Sequence, residues 1–241
     1  MRGRVFLVGA GPGDPRLITV RGAELLKVAD VVIYDRLIPK ELLGLCREDA
    51  ELIYMGKEKG DTELQDEINQ LMLAKCSEGK TVVRLKGGDP YVLGRGEEEC
   101  RYLIERGIQC EVVPGVSSAF AVPAYAGIPV TSRWYSPSVT VFTATMKSGD
   151  VIDPDYIPRK GTLVVMMGIH VVERLREILL KVRSPEEEVA VIQEGTTERQ
   201  RVFTGKLANL DQLVRVNGVK PPAIIVVGEV VRLRDKLWRS S

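Results

Sequence analysis

The chain has 241 residues, of which 44% are hydrophobic, so it can fold around one large core or two smaller ones. Its 34 basic and 33 acidic side chains leave a net charge of only +1. This composition excludes a disordered chain and argues against nucleic-acid binding that depends on neutralising phosphates. Any anionic ligand must therefore be met by a local group of basic residues.

The few residues that could form disulfides or bind metals are scattered. Cys46, Cys76, Cys100 and Cys110 show no CxxC spacing, and His170 is the single histidine. We therefore expect no metal site and no disulfide framework, but free thiols in a reducing compartment. No run is apolar and long enough to span a membrane or to act as a cleaved leader, so we expect a cytoplasmic protein without a membrane partner.

Short apolar runs alternate with longer amphipathic stretches from one end of the chain to the other. The runs predict strands at 5–8, 31–34, 52–54, 81–85, 111–113, 139–142, 162–166, 189–192 and 223–227. The stretches between them predict helices at 17–28, 62–76, 97–106, 117–126, 171–182 and 207–216. Asp14 followed by Pro15 is a typical start for the first helix, and Thr62 with Gln65 forms a capping box for the second.

Regular alternation of strand and helix predicts largely parallel sheets covered by helices on both faces. The segment 127–137 contains a glycine and two prolines and is typical of a hinge, after which the pattern starts again. We therefore predict an α/β fold with two α/β domains, at 1–130 and 131–241.

A glycine-rich loop follows the first predicted strand. Its glycines, Gly9, Gly11 and Gly13, do not match the dinucleotide fingerprint, because the third glycine is displaced and Pro12 removes a backbone N–H. The loop also lacks the ending of a P-loop. The pattern indicates either a tight strand-to-helix loop beside a ligand or a turn that simply needs glycine.

A second loop, at 84–98, combines glycines with charged residues. Its Gly87-Gly88-Asp89 segment suits a small molecule with amide-like edges. The cations Arg84, Lys86 and Arg95 crowd the same loop in a chain of almost no net charge, which favours an anionic substrate. The alternative is a solvated charged loop without a ligand.

Three further loops also follow predicted strands. Ser117 and Ser118 can cap the helix that follows them, can offer hydroxyl groups to a ligand, or can do both. In the second half, Met167 and Gly195 end two strands, although a methionine there is more often part of a core. Because strand ends share one edge of a parallel sheet, these loops are expected to gather there.

Five blocks of this chain resemble the tetrapyrrole methylase family, and within it the uroporphyrinogen-III C-methyltransferases. The blocks are VGAGPGDPRLIT at 8–19, VVIYDRLI at 31–38, RLKGGDPYVLGRGEEE at 84–99, PGVSSAFAVPAYAGIPVT at 114–131 and PPAIIVVGEVV at 221–231. The resemblance implies two α/β domains with a cofactor cleft between them, a homodimer with dimer contacts in the C-terminal domain, and S-adenosylmethionine as cofactor. It also implies methylation of uroporphyrinogen III at C2 and C7, which gives precorrin-2 and two molecules of S-adenosylhomocysteine.

The resemblance assigns roles to individual residues. Asp35 matches the acid proposed to accept a proton, and Lys57 matches the proposed proton donor. The implied cofactor contacts are Pro12, Gly87, Gly88, Asp89, Val92, Ser117, Ser118, Met167 and Gly195. The substrate carries eight carboxylates, so Arg84, Lys86 and Arg95 are expected to bind it. No metal is required.

The chain departs from the family pattern at a few places, and other functions compete. Ser132 stands where the family often has histidine, and Tyr91 and Leu93 replace phenylalanines. One alternative is a later methyltransferase of corrin synthesis, such as one acting on precorrin-4; another is a nucleotide-binding regulatory module. For Asp35 the structural alternative is a cap or an ion pair for the next helix.

Overall fold

The structure is a computed structural model and describes residues 3–56 and 62–237. The chain forms two compact units, the first ending at Ser118 and the second beginning at Ala119. The strands of the first unit are β1 (Arg4–Gly9), β2 (Val31–Tyr34), β3 (Glu51–Tyr54), β4 (Thr81–Lys86) and β5 (Cys110–Val113). Those of the second are β6 (Val139–Thr143), β7 (Thr162–Met166), β8 (Glu188–Gln193), β9 (Arg201–Lys206) and β10 (Ala223–Val227).

The helices occupy the connections between these strands. They are α1 (Val20–Leu26), α2 (Lys40–Leu43), α3 (Thr62–Ser77), α4 (Gly96–Ile104), α5 (Ser118–Tyr125), α6 (Val172–Leu180), α7 (Leu210–Val216) and α8 (Arg234–Leu237). Asp14 and Pro15 begin a short 3-10 turn, as the cap-plus-proline pattern suggests, and α1 itself begins after Thr19, whose side chain caps it. No described helix combines the length and the apolar character that crossing a membrane requires.

The first sheet is parallel throughout, with strand order β3-β2-β4-β1-β5. Successive residues of each strand point to opposite faces. Phe6 and Val8 of β1 therefore pack with α1 and α2, whereas Val5 and Leu7 pack with α3 and α4. The chain leaves β1 towards β2 and leaves β4 towards β5, so neighbouring central strands send their connections in opposite directions. The carboxyl ends of such a pair are the usual ligand position in an α/β sheet.

The second sheet is mixed, so the prediction of largely parallel sheets was wrong here. Its order is β6-β7-β10-β8-β9; β6 and β7 are parallel, whereas β10 is antiparallel to β7 and β8, and β9 is antiparallel to β8. The strand β9 was not predicted at all. It is a half-exposed edge strand that follows β8 after a short loop, with no helix between them. The second unit is still an α/β body with a hydrophobic core on each face of its sheet.

The helix α5 explains why the units divide before residue 130. Ala119 and Val122 of this helix, and Ala126 just after it, pack into the core beside Val164 and Ala190 of the second sheet. The helix that was expected to close the first domain therefore contributes core residues to the second unit.

Two of the four cysteines are not free, contrary to the sequence-based expectation. Cys100 of α4 and Cys110 of β5 form a disulfide with their Cα atoms 5.5 Å apart, while Cys46 and Cys76 are free thiols. The pairing depends on α4 packing against the sheet next to β5, and the spacing of the cysteines along the chain does not reveal this.

Three loops at the carboxyl ends of β1, β4 and β5 meet backbone to backbone. A Cβ atom added at Gly115 would lie 2.2 Å from the carbonyl oxygen of Gly88 and 2.7 Å from the Cα of Gly9. One added at Gly9 would lie 2.5 Å from the Cα of Gly115. These distances are far below van der Waals contact, so only glycine allows the loops to come this close.

We expect Gly115→Ala to lower the stability of the protein by about 1–3 kcal/mol or more, because its methyl group would push two backbone segments apart. Thermal or urea denaturation followed by circular dichroism measures the change. Gly205→Ala is the matched control: it also adds a methyl group, but the nearest atom would be a Leu213 side-chain carbon at 3.5 Å, an ordinary contact. Equal stability of the two variants would contradict the packing described here.

Candidate active site

Hydrogen bonds join the first two glycine loops into one backbone assembly. Gly88 N–H donates to the Gly11 carbonyl at 2.7 Å, and Gly11 N–H donates to the Gly88 carbonyl at 3.2 Å. Ala10 N–H donates to the Lys86 carbonyl at 2.7 Å. The loops predicted to hold a ligand therefore lie side by side, as expected for strand ends at one edge of a parallel sheet.

The carboxylate of Asp89 binds the third loop, which follows β5, to the loop that follows β4. Its Oδ1 accepts a hydrogen bond from Tyr91 N–H at 2.8 Å, and its Oδ2 accepts one from Gly115 N–H at 3.0 Å. Asp89, which the sequence suggested as a polar group for the ligand, thus also fixes the shape of two loops. Ser118 lies close by, since a Cβ atom at Gly88 would be 3.5 Å from its backbone nitrogen.

The remaining predicted cofactor residues are distributed over both units. In the first unit, Pro12 and Val92 are half-buried and Ser117 is buried. In the second unit the side chain of Met167 is exposed at the end of β7. Gly195 follows β8 and is buried so closely that a Cβ atom there would lie 2.3 Å from the Val122 side chain.

Left-handed backbone conformations mark these same loops. Among the described residues, those other than glycine with positive φ are Leu93 (55°), Arg95 (58°), Met167 (56°), Glu194 (48°) and Thr196 (68°). All five lie in loops that follow β4, β7 or β8. Such conformations are costly and concentrate where a site needs a particular geometry. The residue types at these five positions do not predict a left-handed conformation.

Asp35 follows β2 immediately, and both of its oxygens have partners. Oδ1 accepts a hydrogen bond from Leu37 N–H at 3.0 Å, and Oδ2 lies 3.7 Å from Nη2 of Arg84. Its side chain is 26% exposed. The helix α2 begins only after Pro39, so Asp35 closes a turn and does not cap that helix. Its ion pair is with a residue of β4, and a partly open carboxylate remains free to meet a ligand.

Lys57 lies outside the described residues. The residues just before it approach the Asp35 turn, since Met55 N–H donates to the Tyr34 carbonyl at 2.7 Å. A Cβ atom at Gly56 would be 2.9 Å from the Arg36 backbone nitrogen.

The three predicted substrate cations have different environments. Arg84 is only 4% exposed, and its Nε lies 3.4 Å from Oε1 of Glu99. Lys86 is also buried, and its Nζ donates to the same Oε1 at 2.8 Å. The side chain of Arg95 is 46% exposed and pairs with Glu98 at 2.8 Å. Of these three, only Arg95 presents its charge at the surface.

Glu99 is a central residue that the sequence analysis missed. It is fully buried, and its Oε1 also accepts a hydrogen bond from Nε2 of Gln65 at 3.1 Å. Burial alone would raise the pKa of Glu99, but the charges of Lys86 and Arg84 outweigh burial and lower it. Burial lowers the pKa of Lys86, and attraction by Glu99 opposes this only in part.

A signal for Glu99 existed in the sequence. Glu97, Glu98 and Glu99 together resemble the acidic first turn of a helix, and this pattern does not show that Glu99 alone is buried. However, Glu99 lies four residues before the fully buried Leu103, so helical periodicity places it on the core face of α4.

Within residues 3–56 and 62–237, no group of three or more His, Cys, Asp or Glu side chains could hold a metal ion.

Residues 4–211 match the family model for Tetrapyrrole (Corrin/Porphyrin) Methylases. A uroporphyrinogen-III C-methyltransferase of Methanocaldococcus jannaschii is 50% identical to this chain, over 98% of this chain and 99% of the relative. A siroheme synthase of Pseudomonas fluorescens is 49% identical over 98% of this chain but only 52% of the relative. The chain thus spans about half the length of that kind of relative.

Solved structures agree with these matches. Uroporphyrin-III C-methyl transferase of Thermus thermophilus, complexed with S-adenyl homocysteine, is 38% identical with a TM-score of 0.83, covering 96% of this chain and 100% of that one. A cobalt precorrin-4 methyltransferase is 29% identical with the same TM-score of 0.83, covering 95% of each chain. The two α/β units and the five sequence blocks have the same explanation: this chain belongs to the tetrapyrrole methylase family.

Proposed function

We propose that this protein transfers methyl groups from S-adenosylmethionine to C2 and C7 of uroporphyrinogen III, which gives precorrin-2 and two molecules of S-adenosylhomocysteine. The observation that carries this proposal is the 50% identity to the Methanocaldococcus enzyme over almost the whole of both chains. The precorrin-4 methyltransferase has an equally similar fold but only 29% identity. The fold alone therefore does not select the substrate, whereas the sequence favours uroporphyrinogen III.

The loops of the first unit suit the nucleoside part of this cofactor. Among the described residues, a Cβ atom at Gly87 would meet only the Leu37 side chain, at 3.4 Å, so the backbone at this position is open to a neighbour. Glycine loops of this kind offer backbone N–H and C=O groups, which recognise amide-like edges without a charge. The cofactor contacts predicted for Pro12, Val92, Ser117, Met167 and the other residues of that set are part of this proposal.

The sulfonium group of the cofactor supplies an electrophilic methyl group. Attack by an electron-rich pyrrole carbon requires alignment more than a strong base, and a proton must leave the ring afterwards. Asp35 is suited to accept that proton, because one oxygen is held by Leu37 N–H while the other is beyond hydrogen-bond distance of Arg84. The transfer itself releases one proton and consumes none, so Lys57, the proton donor that the resemblance implies, would act outside this step.

The carboxylates of the substrate require cations at the surface. Arg95 meets this requirement most simply, since nearly half of its side chain is exposed and its ion pair with the partly exposed Glu98 can be exchanged for another carboxylate. Arg84 and Lys86 would have to leave Glu99 to bind a carboxylate directly. We therefore propose Arg95 as the first carboxylate ligand and expect Arg84 and Lys86 to contribute mainly through their charge.

A homodimer in the cytoplasm is also part of the proposal. A tight turn in the second unit, closed by reciprocal hydrogen bonds between Ser132 and Ser136, presents Trp134 with 86% of its surface exposed. Tryptophan is enriched at protein interfaces, where its large ring can be buried. The cytoplasmic location is proposed from the family resemblance: Cys46 and Cys76 are free thiols, as in a reducing compartment, whereas the Cys100–Cys110 disulfide is unusual there.

Anaerobic incubation with uroporphyrinogen III and S-adenosylmethionine should give a product heavier by two CH2 units in mass spectrometry, since each methyl group replaces one hydrogen. A methyltransferase specific for a later corrin intermediate would leave this substrate unchanged. A nucleotide-binding module would give no product and would bind a nucleotide more tightly than S-adenosylhomocysteine in calorimetry.

Asp35→Asn should lower turnover by about two to four orders of magnitude, because the amide cannot accept the proton. Affinity for S-adenosylhomocysteine and the melting temperature should stay close to those of the wild type, since asparagine can still accept the Leu37 hydrogen bond. Asp153→Asn is the matched control: Asp153 is exposed and accepts a hydrogen bond from Asp155 N–H at 2.8 Å in the same kind of turn. Full turnover in folded Asp35→Asn would remove Asp35 from the mechanism.

Light scattering at micromolar concentration should give a mass near twice the 26.7 kDa of one chain. Trp134→Ala should shift the population towards the monomer, because it removes the large apolar side chain that we propose for the interface. A wild-type mass near that of one chain would disprove the dimer.

A further inference from the structure

A completely buried carboxylate lies beneath the Asp35 site, and the mechanism above makes no use of it. Glu99 is 0% exposed, so it cannot touch a substrate. Its Oε1 is shared by Lys86, Gln65 and Arg84, whereas its Oε2 has no hydrogen-bond partner among the described residues. Removing a carboxylate from water is costly and is seldom repaid by stability alone, so such a group calls for another explanation.

Arg84 connects this buried acid to the Asp35 site. Its Nε faces Glu99 at 3.4 Å, its Nη1 donates to the Ile33 and Leu85 carbonyls at 3.4 Å, and its Nη2 lies 3.7 Å from Oδ2 of Asp35. The planar guanidinium thus extends from a fully buried acid to a partly open one. Because the group is rigid, an anchor at one edge determines where the other edge points.

We infer that Glu99 is a positioning residue for Asp35 and acts through Arg84. The inference rests on the proposed role of Asp35 as proton acceptor. By holding the Nε edge of Arg84, Glu99 leaves only Nη2 facing Asp35, at a distance longer than a hydrogen bond. Asp35 therefore feels a compensating charge while its Oδ2 stays available to the substrate.

Loss of the Glu99 charge should change this arrangement in a definite way. An arginine released at its Nε edge pairs most favourably with a carboxylate through two parallel hydrogen bonds. Arg84 would then engage Asp35 directly and occupy the oxygen that should receive the proton. Turnover would fall while the glycine loops that bind the cofactor, which lie on other residues, would keep their shape.

The test compares Glu99→Gln with Glu97→Gln, a matched loss of one carboxylate from the same helical turn at an exposed position. For Glu99→Gln we expect kcat to fall about 10- to 100-fold, with the KM for uroporphyrinogen III and the affinity for S-adenosylhomocysteine within about twofold of wild type. Glu97→Gln should behave as wild type. Wild-type kcat in Glu99→Gln, or a loss confined to KM and cofactor affinity, would overturn the inference.

A double variant tests whether the effect passes through Asp35. Once Asp35→Asn has removed the proton acceptor, adding Glu99→Gln should not slow turnover further. If the two losses instead multiply, Glu99 acts independently of Asp35 and the inference is wrong. Failure of the proposed function looks different, since the wild-type protein would then give no methylated product.

If Glu99→Gln does not fold, a double variant at Lys86 and Glu99 provides the test instead. Lys86→Met combined with Glu99→Gln removes one buried positive charge together with the negative one, which preserves the charge balance of the interior. With the wild type, in which the charges are also balanced, as its reference, the pair should show the same 10- to 100-fold loss of kcat. Equal kcat in the pair and its reference would overturn the inference.

Discussion

The contact between Gly115 and the carbonyl of Gly88 is the constraint on which the site in the first unit depends. The ends of three parallel strands come so close together here that a single added methyl group would not fit between them. Asp89 then joins the loops through two backbone N–H groups, so the polar atoms around them have fixed directions. A site built from backbone in this way recognises a ligand by shape and hydrogen bonds, which matches a family whose members share a cofactor but differ in substrate.

Beneath these loops lie charged side chains, and their opposite charges offset the cost of burying them. Asp35 and Glu99 face Arg84 and Lys86, two negative groups against two positive ones, in ion pairs that are mostly shielded from water. Pairs of this kind are sensitive to the loss of any single member, because an unpaired buried charge is far more costly than the intact set. The same balance explains why two cations that looked like substrate ligands in the sequence are directed into the protein.

Most strands of both units could be predicted from the sequence, because a buried strand appears there as a short apolar run. The apolar runs at 31–34, 162–166 and 223–227 coincide with β2, β7 and β10, and the glycine loops lie where strand ends should place them. Strand direction in the second sheet could not be predicted, because a fully buried strand reads as a continuous apolar run in either direction. The disulfide was missed for a related reason, since it depends on how α4 packs against the sheet, whereas Glu99 was missed because it stands in a run of three glutamates.

The edge strands of the two sheets have a consequence for behaviour at high concentration. A strand at a sheet edge carries unpaired N–H and C=O groups that can recruit a strand from another molecule. Here β3 begins with Glu51, which pairs with Lys75, and β5 contains Glu111, which pairs with Arg21. At the other sheet β9 begins and ends with the cations Arg201 and Lys206. Charged side chains at these positions discourage intermolecular strand pairing at three of the four sheet edges, whereas the fourth edge strand, β6, contains no charged residue.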